Sequence, residues 1–113
     1  MTPREALALA RATLLSLDPP VTAYLSRDEV PDSPAGPYVV IDLIATTPEA
    51  TYEARAGSRT LLQVNCWGTK RGGVLDLAER CAVALTNASF REGQSRYPIE
   101  DGYFGVQTDY LTP

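Results

Sequence analysis

Hydrophobic positions alternate between a helical and a strand period along this chain. Leu7, Ala10, Leu14 and Leu17, with Ala6 and Thr13 beside them, recur at helical spacing. Thr2 stands where an N-cap belongs, Pro3 suits the first helical position, and Glu5 completes a capping box with Thr2. The run Asp18-Pro19-Pro20 stops this helix. Val21 to Leu25, "VTAYL", has the β-branched and aromatic character of a short strand, and a proline-rich surface connection follows it.

The strongest strand is Tyr38 to Thr46, "YVVIDLIAT", entered through Pro37, and the next is Arg59 to Trp67. Between them lies "TPEATYEARAGS", a connection long enough to carry function, whose "TYEAR" part extends both strands into a projecting hairpin. After the turn "GTKRGG", Val74, Leu77, Ala78, Cys81, Ala82 and Leu85 recur at helical spacing, with Asp76, Glu79 and Arg80 pointing elsewhere. "NASFREGQSRYPIEDG" reads as an irregular return, and Tyr103 to Leu111 as a last strand. The expected fold is α+β, in the order α-β-β-β-α-β: one domain over residues 1–113, with two helices on one face of a mostly antiparallel four-stranded sheet.

Strand alternation then sorts the sheet into two faces. Val39, Ile41, Leu43, Leu62, Val64 and Cys66, with Phe104 and Val106, form an aliphatic layer for the helices. The other face carries Tyr38, Val40, Asp42 and Ile44, then Leu61, Gln63, Asn65 and Trp67, then Gln107 and Asp109. This mixture is too polar for a sealed core and too apolar to face water. Clustered, Tyr38, Val40, Ile44, Leu61 and Trp67 reach the size at which an exposed apolar surface signifies binding. A subunit interface is therefore expected there, with Trp67 an anchor whose replacement by alanine leaves the subunit folded. The alternative is that the Phe90 to Ile99 return covers this face.

Composition narrows the chemistry. At 113 residues the chain holds one ordinary core, and its 10 basic and 14 acidic side chains give a net charge of -4 with no basic block for a row of phosphates. The opening lacks a basic leader and no run of about 18 apolar residues occurs, so a protein made in the cytoplasm without a membrane partner is expected. Cys66 and Cys81 fall at core positions and read as free thiols, with a bridge between them still open.

With no histidine, Ser-His-Asp and Cys-His catalysis is excluded. Two distant cysteines do not fill a zinc site, and the acidic pairs Asp28–Glu29 and Glu100–Asp101 are ordinary loop composition. In "GTKRGG" Lys70 and Arg71 precede the glycines, the reverse of a P-loop, so the turn reads as a sharp strand-to-helix corner with two exposed cations. No catalytic, metal or cofactor residue is expected.

The pattern "PYVVIDLIATTPEAT", a long hairpin connection, "RTLLQVNCWGTKRGGVLDLAERCAVAL" and a closing "GVQTDYL" resembles the small tail-completion or tail-terminator proteins of long-tailed bacteriophages and related particles. The resemblance spans roughly Leu7 to Leu111. It implies an α+β subunit of the virion tail or neck that assembles into a ring, commonly of six. The ring caps the tail tube and meets the head connector, and DNA only passes through its channel. Tyr52, Arg55 and Arg59 of the hairpin region then suit contacts between subunits. The segment between the second helix and the last strand is short for that family. Two other readings are another neck component, such as a head-closure or connector protein, and a small α+β dimer using the Trp67 to Gly73 turn for an anionic ligand.

Overall fold

The computed structural model describes residues 2–34, 36–50 and 55–113, and the side chains at 47–50 and 55–58 lie outside that description. Helix α1 spans Pro3–Leu15. Its capping box is formed: Glu5 N–H donates to Thr2 Oγ1 at 3.1 Å, and Thr2 N–H donates to Glu5 Oε1 at 2.8 Å. Ala6, Ala10 and Leu14 are buried beneath it.

Strand β1 is shorter than its sequence suggests, only Ala23–Tyr24, and pairs in parallel with the start of β2, Tyr38–Ala50. β2 runs antiparallel to β3, Arg55–Gly68. Helix α2, Arg71–Asn87, follows and buries Val74, Leu77, Cys81 and Leu85. β4 (Arg91–Arg96), β5 (Ile99–Glu100) and β6 (Tyr103–Leu111) complete the chain. The sheet order is β1-β2-β3-β6-β4, with β5 paired to the start of β6.

The α+β class and the mostly antiparallel sheet agree with the sequence reading, but the sheet has six strands among the described residues rather than four. The expected irregular return contains β4 and β5. β4 is "REGQSR", almost wholly exposed, and it forms because β6 otherwise presents an unpaired edge of N–H and C=O groups. Ser95 shares a hydroxyl hydrogen bond of 2.8 Å with Thr108, and Arg96 pairs with Asp109 at 3.1 Å.

The core lies between the two helices and one sheet face, with Val39, Ile41, Leu62, Val64, Cys66, Val106 and Tyr110 as its floor. Cys66 and Cys81 are buried free thiols. The hydrogen bond with Cys81, and then burial, hold the Cys66 thiol well above its ordinary value, so it stays protonated. Leu43 departs from the expected core layer and is 47% exposed. β1 pairs no further along β2 than Val40, so Leu43 stands on an open edge.

Two glycines set close approaches. A Cβ on Gly68 would come within 2.8 Å of Val74 Cγ2, where α2 crosses the end of β3. A Cβ on Gly105 would come within 2.6 Å of the Trp67 ring and 3.0 Å of Pro98. Gly105→Ala is therefore expected to destabilise the subunit by about 1–3 kcal/mol, because the indole must move off the strand. Urea denaturation checks this, and an unchanged midpoint would mean that Trp67 does not lie across β6 in solution.

Beyond Thr46 and Thr60 the β2–β3 pair continues without a sheet neighbour to Ala50 opposite Arg55. It forms a two-stranded stem, and the molecule measures 51 × 27 × 24 Å.

Candidate functional site

The outward face of the sheet is built in rows by the strand register. Tyr38, Trp67 and Gly105 form one row; Val40, Asn65 and Gln107 the next; Asp42, Gln63 and Asp109 the third; Ala45, Leu61 and Leu111 the fourth. A β-bulge between Leu43 and Ala45 places two residues of β2, Ile44 and Ala45, against the single residue Leu61.

The first row, and Val40 of the second, are covered by the chain itself. Trp67 is 4% exposed and Val40 2%. Gly105 leaves room for the indole, Pro98 borders it, and the Arg27 guanidinium lies 5.6 Å from the ring centroid. Arg27 belongs to a short 3-10 turn, Arg27–Glu29, in the proline-rich connection. Tyr24 packs edge-on against half-buried Tyr38, with ring centroids 6.2 Å apart. Desolvation, with Tyr103 nearby, raises the Tyr38 hydroxyl above its ordinary value.

Trp67 and Val40 are thus packed side chains of the single subunit, which corrects the expectation that they belong to an exposed patch. The alternative in the sequence reading is met in part, since Pro98 of the Phe90 to Ile99 return borders Trp67. Phe90 turns into the helix-side core, and the residues over Trp67 come from the 3-10 turn and from Pro98.

The middle rows are polar and internally bonded. Asn65 is buried; its Nδ2 donates to Asp42 Oδ2 at 2.8 Å and to the Val40 carbonyl at 3.2 Å, while its Oδ1 has no protein partner. This strip separates the two apolar ends of the face. Trp67 and Leu61 stand six positions apart on β3, about 20 Å along the strand. The expected single patch is therefore two clusters.

In the distal cluster Ile44 is 49% exposed beside the exposed Leu43, while Leu61 and Arg59 are half-buried. Tyr52 and the Arg55 side chain lie outside the described residues. Lys70 and Arg71 are exposed as expected, but they occupy the N-cap and first turn of α2 rather than a free turn. The Arg71 guanidinium lies 5.1 Å from the Phe104 ring centroid.

Sequence reasoning missed a groove of about 280 Å³ between the first turns of α2 and the β5–β6 hairpin. Its floor includes Val74, Phe104 and Val106, and its rim includes Leu75, Tyr97 and Ile99. The available signal was "YPI", an apolar triplet within an otherwise polar return.

Among the described residues no group of three or more metal-ligating side chains occurs, and no helix is long and apolar enough to cross a membrane. The family model described as tail completion protein gp17 matches residues 10–109. The chain belongs to the tail-completion protein gp17 family. No individually curated protein matches it.

Membership makes this a structural protein of bacteriophage tail completion and a component of the virion tail. For such a protein the exposed features gain significance over the buried ones. The match encloses all of β1 to β5, most of β6, α2, and the α1 residues Ala10 and Leu14 that pack beneath them.

Proposed function

We propose that this tail-completion protein assembles into a ring, of six subunits in the family pattern, that caps the tail tube. The ring stops tube growth and presents a surface to the head or neck connector. Membership of the tail-completion family over residues 10–109 carries this reading. The two-stranded stem supports it, because a ring subunit needs an element that reaches its neighbour, and this one leaves the sheet with no partner strand on either side among the described residues. Exposed Leu43 and Ile44 at the root of the stem gain from being covered in an assembly. The net charge of -4 suits a channel that DNA crosses without sticking.

The mechanism is surface complementarity between subunits, tube protein and connector. Adding the purified protein to tail tubes assembled without heads tests it. Binding at one end of each tube, seen by gold labelling of a tagged chain, is the expected result. Binding to heads alone would make the protein a head-side neck component instead.

A further inference from the structure

The groove between α2 and the β5–β6 hairpin is lined by side chains that water does not favour. Tyr97 is 66% exposed and Ile99 64%, above a floor of Phe104 and Val74. At its border α2 begins with Lys70, Arg71, Gly72 and Gly73. Lys70 makes no side-chain cap hydrogen bond, and no acidic residue occupies the first turn. Two cations against the positive end of the helix dipole and two glycines in its first turn make an unfavourable start. An acidic group with an apolar anchor beside it relieves both deficits at once.

The chain contains such a segment. The β2–β3 connection reads Pro48-Glu49-Ala50-Thr51-Tyr52-Glu53-Ala54, an aromatic residue with a carboxylate on either side. The described ladder leads into it and ends with Ala50 opposite Arg55. From Gly68, beside the groove, to Arg55 is thirteen residues of continuous β3, about 43 Å. That separation is most of the 51 Å length of the molecule, and four residues between Ala50 and Arg55 are too few to span it back to the same subunit's groove. The segment and the groove are unlike and complementary in charge and apolar character, and the ladder end that leads to the segment lies far from the groove. Head-to-tail assembly requires a pair of this kind.

We propose that the α2/β5–β6 groove is the acceptor for the β2–β3 tip of a second copy, with Tyr52 seated between Phe104 and Ile99 and Glu49 and Glu53 facing Lys70 and Arg71. The inference rests on the ring reading above, which supplies the second copy. It adds to that reading by assigning the two halves of the subunit junction.

Replacing Ile99 with p-benzoylphenylalanine in the full chain, incorporating it into tails and irradiating them tests the assignment. The expected product is a ladder of covalent multimers in which the linked peptide comes from residues 47–58 of another copy. Lys70→Glu with Arg71→Glu should reduce the ladder on the order of tenfold, and adding Glu49→Lys and Glu53→Lys should restore it. Multimers linked through other residues, or a loss that the reciprocal change does not restore, would overturn the acceptor while leaving the ring standing. Links only to other tail or head proteins, with no multimers of this chain, would likewise overturn the acceptor, and the ring is tested separately by binding to tube ends.

Discussion

Trp67→Ala is expected to destabilise the isolated subunit by about 3–5 kcal/mol, the range for removing a buried aromatic ring. That is a large share of the roughly 5–15 kcal/mol that holds a domain of ordinary size together. The indole is 4% exposed, lies across Gly105, borders Pro98 and sits beneath the Arg27 guanidinium, so truncation empties a site walled by three separate segments. Thermal unfolding followed by circular dichroism should show a fall of roughly 10–20 °C. A subunit with unchanged stability that no longer entered tails would return Trp67 to the interface role that strand alternation suggests.

The second large effect is on assembly alone. Deleting Ala54 to Gly57 shortens the end of the stem, beyond the last point at which β6 contacts β3. Unfolding free energy should stay within about 1 kcal/mol of the parent, since shortening a surface connection changes closure entropy only slightly. Completed tails should fall on the order of tenfold or more, because one lost contact is repeated at every junction of the proposed ring. Normal tail completion by the shortened chain would remove the stem from the assembly mechanism.

These opposite expectations follow from what the sequence showed and what it hid. The helix starting at Pro3 was legible because Thr2, Pro3 and Glu5 act locally, and the capping box forms between residues three apart. β2 and β3 were legible because their apolar residues alternate against a buried layer, and the core residues Val39, Ile41, Leu62, Val64 and Cys66 lie where alternation puts them. β4 was not, since "REGQSR" owes its conformation to the open edge of β6 rather than to its own side chains.

The candidate site was legible in composition but not in layout. Alternation correctly placed Tyr38, Val40, Leu61 and Trp67 on the outward face of the sheet. It could not show that Arg27, forty residues before Trp67, roofs one end, or that the bulge at Ile44 and the Asn65–Asp42 bond divide the surface. The groove was hidden for a similar reason: Tyr97 and Ile99 meet Leu75 and Phe104 only after β5 folds back on β6.

On this account the stem, the apolar pair at its root and the groove are the surfaces proposed to meet partners. Capping of the tail tube by a ring of these subunits is the central claim, and electron microscopy of particles made without this protein tests it most directly. Overlong tubes, or tails without heads, are the predicted result. Tails of normal length joined to heads would contradict it.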